Sequence, residues 1–82
     1  MTAPSSTKRL PYAVEQRRRF VDFLLVEYGH VNRSALVDWF GVSMPQASRD
    51  IGDYLKAAPG NAVYDASVRS YFSAEGFKRL YP

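Results

Sequence analysis

Apolar side chains recur at helical spacing in three separate stretches of the chain, residues 12–28, 33–40 and 44–57. A spacing of three or four residues places the side chains of one stretch on a single face of a helix. We therefore predict three helices with one buried face each. The predicted inward positions are Phe20, Val21, Leu24, Leu25 and Tyr28 in the first helix, Leu36, Val37 and Phe40 in the second, and Met44, Ala47, Ile51, Tyr54 and Leu55 in the third.

Glycines and short polar residues mark the ends of these helices. Gly29 and Gly41 follow the first and second helices, in the position where a left-handed backbone commonly ends a helix. Asn32 and Ser43 precede the second and third helices and are good N-cap residues. Gln46 follows Ser43 at capping-box spacing. The boundaries leave only a three-residue turn between the second and third helices.

The chain after the third helix has the pattern of a β-hairpin. Pro, Gly and Asn at 59–61 break the helix, and two short strands are expected at 62–65 and 69–72. We expect Asp65 to face Arg69 across the hairpin, because opposite charges are a favourable cross-strand pair.

The order of elements is that of a winged helix-turn-helix: a mainly α fold with a β-hairpin (α+β), three helices plus a two-stranded wing. At 82 residues the chain has room for one domain. We predict a flexible N-terminal arm at 1–11, the winged helix-turn-helix at 12–73, and a tail at 74–82 leading to C-terminal domains that are absent from this chain.

Composition excludes several function classes. There is no cysteine, so a thiolate zinc site and a cysteine nucleophile are excluded, and His30 is the single histidine. His30 has no acidic or second histidine partner at ligand spacing and is expected in a loop. No apolar run approaches the length of a membrane span. We expect no metal, no cofactor, no membrane association and no enzymatic activity in a cytoplasmic, nucleoid-associated protein.

Net charge favours a polyanionic partner. The chain carries 11 Lys and Arg against 8 Asp and Glu, a formal charge of +3. Five basic residues and one acidic residue lie within residues 1–19, which gives that end a local charge of +4. A basic end attracts polyanions such as nucleic acid.

The outer face of the third helix is the candidate base-contacting surface. In a helix-turn-helix this helix enters the major groove with its N-terminus first. Gln46 has the geometry to bind adenine and Arg49 to bind guanine, each through two hydrogen bonds. An alternative is a solvated face on which Gln46 only caps. Asp50 is expected to be structural, tied to a nearby donor. The predicted base-contacting residues are Ser43, Pro45, Gln46, Ser48 and Arg49.

Candidate phosphate contacts surround that face. The start of the second helix offers free backbone N–H groups together with an arginine and a serine, a combination that binds phosphate. Capping by Asn32, pairing of Arg69 with Asp65, and a solubilising role for Arg17 are the alternatives at those positions. The predicted backbone-contacting residues are Asn32, Arg33, Ser34, Arg17, Lys56, Ser67 and Arg69.

Three motifs carry a family resemblance: Asn-Arg-Ser at 32–34, Phe-Gly-Val-Ser-Met-Pro-Gln-Ala-Ser at 40–48 and Ala-Pro-Gly-Asn-Ala-Val-Tyr-Asp at 58–65. With them, residues 12–77 resemble the N-terminal winged-helix domain of the WYL-domain transcriptional repressors of the BrxR/CapW group. Those proteins are dimeric bacterial regulators beside phage-defence operons, and they continue into further domains. The resemblance implies that residues 43–49 contact the bases of an inverted repeat, with residues 32–34 on the DNA backbone.

Two functions are therefore compared. The first is a sequence-specific double-stranded DNA-binding domain of a bacterial repressor, which recognises an inverted-repeat operator through the helix at 44–57 and controls a phage-defence operon. The full-length protein is expected to be a homodimer. The second is a winged-helix protein–protein interaction module that does not bind DNA. Phe23 and Val26, which lie off the main apolar stripe, and Trp39 favour the second.

Overall fold

The computed structural model describes residues 11–81, so residues 1–10 of the predicted arm at 1–11, together with Pro82, lie outside this range. Within it, three α-helices and three short strands follow one another along the chain. They are α1 (Tyr12–Glu27), β1 (His30–Val31), α2 (Arg33–Phe40), α3 (Met44–Ala57), β2 (Ala62–Asp65) and β3 (Ser70–Ser73). This order confirms the winged helix-turn-helix fold, and the bounds of α2 and α3 agree with the prediction.

The helix ends form through the predicted residues. The Asn32 side chain accepts a hydrogen bond from the backbone N–H of Ala35 at 3.0 Å. The Ser43 hydroxyl accepts one from the N–H of Gln46 at 3.2 Å. Gly41 ends α2 in the left-handed region, at φ 72°. The capping box is incomplete, because the Gln46 side chain bonds to Asp50 instead of returning to the N-cap.

The hydrophobic core lies where α1, α2 and α3 meet the short sheet. Two predicted core positions are wrong: Tyr28 is 65% exposed and Met44 is 43% exposed. Tyr28 directly follows α1 and Met44 is the first residue of α3, so each lies at the edge of its apolar stripe. The buried apolar residues are Val21, Leu25, Val31, Leu36, Ala47, Ile51 and Tyr54.

The wing is part of a three-stranded antiparallel sheet in the order β1-β3-β2. The two residues of β1 were not predicted as a strand, and His30, expected in a loop, lies in it opposite Phe72. The predicted hairpin register is wrong by one residue, because Asp65 pairs with Ser70 and not with Arg69. The hairpin turn has four residues, 66–69, and the extra residue shifts every cross-strand partner.

A buried carboxylate holds the C-terminal segment against the helices. Asp22, 1% exposed, accepts hydrogen bonds from the Tyr54 hydroxyl and from the backbone N–H groups of Leu80 and Tyr81 at 3.0 and 3.1 Å. Burial and the Asp22 carboxylate raise the pKa of Tyr54 above its usual value, so the hydroxyl keeps its proton as a donor. Residues 80 and 81 are thereby held against α1 and α3.

Asn61 makes a second attachment for the same segment. Its side-chain amide donates to the Lys78 carbonyl at 2.7 Å and accepts from the Lys78 N–H at 3.0 Å. The amide also donates to the Tyr54 hydroxyl at 2.9 Å. Each end of the buried amide is therefore hydrogen-bonded, as burial of a polar group requires.

Candidate nucleic-acid interface

The N-terminal half of α3 presents the predicted base-contacting residues at the surface. Ser43, Pro45 and Arg49 are exposed, whereas Gln46 and Ser48 are half-buried. The helix places Pro45 and Arg49 one turn apart on the same side. Gln46, Ser48 and Arg49 are hydrogen-bonded to other side chains, as described below.

A chain of hydrogen-bonded side chains connects this face to α1. Arg17 donates to the Asp50 carboxylate through Nε at 2.5 Å and through Nη2 at 3.3 Å. The Gln46 amide donates to the same carboxylate at 2.9 Å, and its oxygen accepts from Arg49 Nη2 at 3.0 Å. Asp50 is thus tied to nearby donors, which confirms the structural role expected for it. We call these four residues the Arg17–Arg49 chain.

In the Arg17–Arg49 chain, the Arg17 guanidinium is paired with a carboxylate and largely buried, whereas the predicted phosphate contact needs an exposed guanidinium. The side chains of Arg17 and Asp50 are only 12% and 4% exposed. A phosphate would have to compete with a nearly buried carboxylate that already holds the guanidinium through two hydrogen bonds.

A further hydrogen bond joins α2 to α3. Arg33, the first residue of α2, donates from Nη1 to the Ser48 hydroxyl oxygen at 3.2 Å. A predicted backbone contact and a predicted base contact are therefore adjacent in space. The hydrogen bond between Arg33 and Ser48 is not predictable from local sequence patterns, because the two residues are fifteen positions apart.

A cleft of about 270 Å³ lies beside this pair and brings three elements together. The start of α2 contributes the predicted phosphate-binding group at 32–34, and the wing contributes Arg69. Sequence reasoning missed Met44 and Val68, which complete the walls. Their sequence positions predict a core role for Met44 and a place in the hairpin turn for Val68, so neither pattern indicates a wall of a surface cleft.

The wing tip is held by local contacts. The Asp65 carboxylate accepts hydrogen bonds from the Ser67 N–H at 2.9 Å and from the Ser67 hydroxyl at 2.6 Å. These bonds lower the pKa of Asp65, the hydroxyl bond most strongly. No ion pair joins Arg69 to Asp65 within residues 11–81, so the pairing considered for them is wrong.

Arg69 has the one left-handed backbone found at a non-glycine residue in the described part of the chain, with φ 55°. Such a conformation costs a non-glycine residue about 1 kcal/mol or more. It ends the four-residue turn and leaves the arginine exposed at the edge of the cleft.

Three further basic residues in the described part of the chain lie close to acidic side chains. Lys56 is at the far end of α3, with its side chain 85% exposed and 3.9 Å from Asp53. Arg18 also approaches Asp53, at 3.8 Å. Arg19 pairs with Glu15 one turn earlier. The predicted contact by Lys56 is therefore separated along α3 from the contacts at its N-terminus.

Aromatic side chains form a second exposed surface. Trp39 is 71% exposed and stacks on Phe20 with ring centroids 5.6 Å apart. Phe23 is 45% exposed and meets Tyr28 edge to face. These residues belong to α1, its C-cap and α2, and none of them lines the cleft.

The described residues offer little support for other kinds of site. Between residues 11 and 81 no three His, Cys, Asp or Glu side chains are grouped as metal ligands would be. In the same range, no helix combines the length and apolarity needed to cross a bilayer.

Comparison with known proteins identifies related sequences. A 68-residue match to the DNA-binding transcriptional repressor CapW of Pseudomonas aeruginosa is 47% identical and covers 83% of this chain. CapW of Escherichia coli strain KTE188 is 48% identical over 67 residues, or 82% of the chain, and CapW of Stenotrophomonas maltophilia is 38% identical over 76 residues, or 93%. These matches cover 23%, 22% and 25% of the respective relatives.

The chain therefore spans about a quarter of the length of these relatives. Residues 13–81 match the family described as the BrxR transcriptional regulator winged helix-turn-helix domain. That range contains every helix and strand described above except the first residue of α1. The sequence match and the observed fold agree, and the chain belongs to the BrxR family of winged helix-turn-helix domains.

Proposed function

We propose that this chain is the sequence-specific, double-stranded DNA-binding domain of a transcriptional repressor. The observation that carries the proposal is the meeting of three elements at one cleft: the start of α2, the start of α3 and the wing. Arg33 and Arg69 line it. The relatives, whose names describe them as DNA-binding transcriptional repressors, support the same function.

The proposed complex has α3 in the major groove with its N-terminus foremost. Base edges would face the five predicted residues Ser43, Pro45, Gln46, Ser48 and Arg49. The cleft would receive the adjacent phosphate backbone, with Arg33 and Ser34 on one side and Arg69 on the other. Backbone N–H groups at the start of α2 add positive potential where phosphate would lie.

Phosphate binding by this surface predicts a measurable salt dependence. Each phosphate neutralised lowers the logarithm of the association constant by about 0.9 per tenfold rise in salt. If Arg33 and Arg69 each neutralise one, the slope is about −1.8 per domain. Contacts of Lys56 or Arg17 with phosphate would steepen this salt slope because these side chains are cationic, whereas a contact of Ser67 would leave the slope unchanged.

The test is a titration of this chain against a labelled duplex from upstream of its own gene, beside a scrambled duplex, at two salt concentrations. We expect saturable preference for the upstream duplex that persists at the higher salt. Equal binding to both duplexes, lost from both as salt rises, would contradict sequence-specific recognition by this chain.

We further propose that the operator is an inverted repeat bound by two copies. Two such domains contact half-sites about 34 Å apart, one helical turn of DNA. A footprint on the selected duplex should then show two protected segments with that spacing and two chains per duplex. A single protected segment with one chain bound would contradict the inverted repeat.

The proposed physiological target is a phage-defence operon, regulated in the cytoplasm. This part of the proposal rests on the resemblance of residues 12–77 to the BrxR/CapW group of regulators beside phage-defence operons. Mapping the preferred sequence onto the source genome is the direct test. We expect the best-matching site in the promoter of such an operon, and sites confined to unrelated genes would contradict it.

A protein–protein interaction module is the second candidate, because Trp39 and Phe23 are exposed on a face separate from the cleft. Titration of the wild type and of the Trp39→Ala/Phe23→Ala double variant against the upstream and scrambled duplexes distinguishes the two functions. Retained DNA preference in the double variant supports the first candidate, whereas a wild-type chain that binds no duplex favours the second.

A further inference from the structure

The hydrogen-bond partners of Gln46 indicate how α3 would distinguish base pairs. We propose that Gln46 and Asp50 are positioning residues that hold the Arg49 guanidinium for contact with one guanine, and that Gln46 does not itself select a base. The inference rests on the proposed function, because it assigns roles within the same DNA-contacting helix.

The orientation of the Gln46 amide is fixed by the chemistry of its neighbours. A carboxylate only accepts hydrogen bonds, and a guanidinium only donates them. The amide nitrogen must therefore face Asp50, at 2.9 Å, and the amide oxygen must face Arg49, at 3.0 Å. A flipped amide would set oxygen against carboxylate and N–H against guanidinium.

The buried end of the Arg17–Arg49 chain makes this orientation rigid. Asp50 is 3% exposed and also accepts two hydrogen bonds from Arg17 of α1. Arg17 and Asp50 are separated by 33 residues in sequence, so the arrangement depends on the packing of α1 on α3. The orientation of Gln46 is thus set by the packing of two helices and not by local helix geometry alone.

The same contacts leave Arg49 available and Gln46 occupied. A guanidinium has five N–H groups, and Arg49 commits one of them to Gln46. Two of the others suffice for the paired contact to O6 and N7 of guanine. A paired contact from Gln46 to adenine would use the amide N–H and oxygen, and both ends of that amide already have partners.

Holding Arg49 before DNA arrives would strengthen discrimination. A long side chain loses rotamer freedom when it binds, and a group fixed in advance loses less. Removal of Gln46 should therefore weaken the guanine preference supplied by Arg49 without creating or deleting a preference at another base pair.

The experiment is selection of bound duplexes from a randomised pool by the 82-residue chain, followed by sequencing of the bound fraction. Arg49→Ala first locates the base pair that depends on Arg49. Gln46→Ala is then compared at that position. We expect the guanine preference there, about 5- to 150-fold in the wild type, to fall in both variants. The double variant should be no worse at that base pair than Arg49→Ala alone, because the two residues act together.

Asp50→Asn is a second test variant, and Asp53→Asn is its matched control. Both remove one negative charge from α3, so both should weaken the sequence-independent repulsion of phosphate by a similar amount. Only Asp50→Asn alters the partner of Gln46. We expect a relaxed guanine preference in Asp50→Asn and an unchanged one in Asp53→Asn. Thermal unfolding shows whether each variant is folded. Gln46→Ala keeps the Arg17–Asp50 pair, so it remains the test if Asp50→Asn fails to fold.

The outcomes separate this inference from the proposed function. A wild-type chain with no base preference overturns both. A preference lost at a different base pair in Gln46→Ala shows that Gln46 selects a base itself and overturns the inference alone. An unchanged profile in Gln46→Ala also overturns it, because Arg49 would then need no positioning.

Discussion

The N-terminal half of α3 and the tip of the wing carry the two proposed kinds of DNA contact, and they are held in different ways. The helix is tied to α1 through Arg17 and Asp50, and to α2 through Arg33 and Ser48. The described hydrogen bonds of Asp65 and Ser67 at the wing tip stay within the hairpin. The surface of α3 is therefore held by residues distant in sequence, whereas the wing tip is held by hydrogen bonds between neighbouring residues.

This difference matches the two kinds of DNA contact proposed for these surfaces. Selection of a base needs donors placed within a fraction of an ångström, because a misplaced hydrogen bond no longer distinguishes bases. A phosphate is charged and accepts hydrogen bonds from many directions, so a cation at the tip of a short hairpin is sufficient. Four predictions test whether the two surfaces differ in this way.

Arg17→Ala should have the largest effect, on the free energy of unfolding. It leaves the nearly buried Asp50 carboxylate without its cationic partner, and such a loss costs about 3 kcal/mol. Urea denaturation measures it. Arg19→Ala is the control on the same helix. Its exposed pair with Glu15 and its contact with the Tyr81 ring should together contribute less than about 1.5 kcal/mol. Equal losses in the two variants would mean that Asp50 does not anchor α3.

Arg49→Ala and Arg69→Ala should separate the two surfaces in DNA binding. Arg49→Ala should cost about 1–3 kcal/mol on the preferred duplex and much less on random DNA. Arg69→Ala should weaken all duplexes alike and reduce the salt slope by about 0.9. Titration of both variants on both duplexes at several salt concentrations gives the answer. A sequence-dependent loss in Arg69→Ala would show that the wing also selects bases.

Gly52→Ala tests whether DNA approaches the backbone closely on the outer face of α3. Apart from its chain neighbours and the adjacent backbone of α3, a methyl group at this position would have no atom within 4 Å, so packing against the rest of the domain does not require glycine. Alanine should stabilise the helix by about 0.5–1 kcal/mol. If DNA approaches the backbone closely here, the same variant should bind DNA less tightly. Chemical denaturation measures the expected gain in stability, and duplex titration measures the expected loss of DNA affinity. Tighter DNA binding would contradict a close approach.

Ser67→Ala should have the smallest effect, confined to the wing. Ser67 lowers the pKa of Asp65, so the carboxylate of the variant should titrate at higher pH. A lowered pKa means that the stabilisation is present above the unfolded-state pKa of Asp65 and is lost as pH falls through the folded-state pKa. Carbon-detected NMR titration of Asp65 measures the shift. An unchanged titration curve would show that the Ser67 contacts are not formed in solution.

Local signals made much of the fold predictable from sequence. Asn32, Ser43 and Gly41 act within one helical turn, and they set the bounds of α2 and α3 correctly. The hairpin register was missed because it depends on a left-handed Arg69, a conformation that an arginine side chain does not favour. The strand β1 was missed because two residues have no periodicity to detect.

The site was predictable only as a set of residues. Sequence reasoning identified Asp50 as a structural carboxylate, since an acid on a DNA-facing helix would repel phosphate. Its partner Arg17 lies 33 positions away, and no local pattern connects them. The contacts of the predicted site residues with DNA stay predictions, and the internal partners of Gln46 and Ser48 were visible only after the helices were packed.

The Asp22 carboxylate, finally, has a mechanical consequence. It holds the backbone of Leu80 and Tyr81, and Asn61 holds that of Lys78. Displacement of residues 80 and 81 would therefore strain hydrogen bonds to α1 and, through the Tyr54 hydroxyl, to α3. The C-terminal segment is in this way coupled mechanically to the helix proposed to contact DNA.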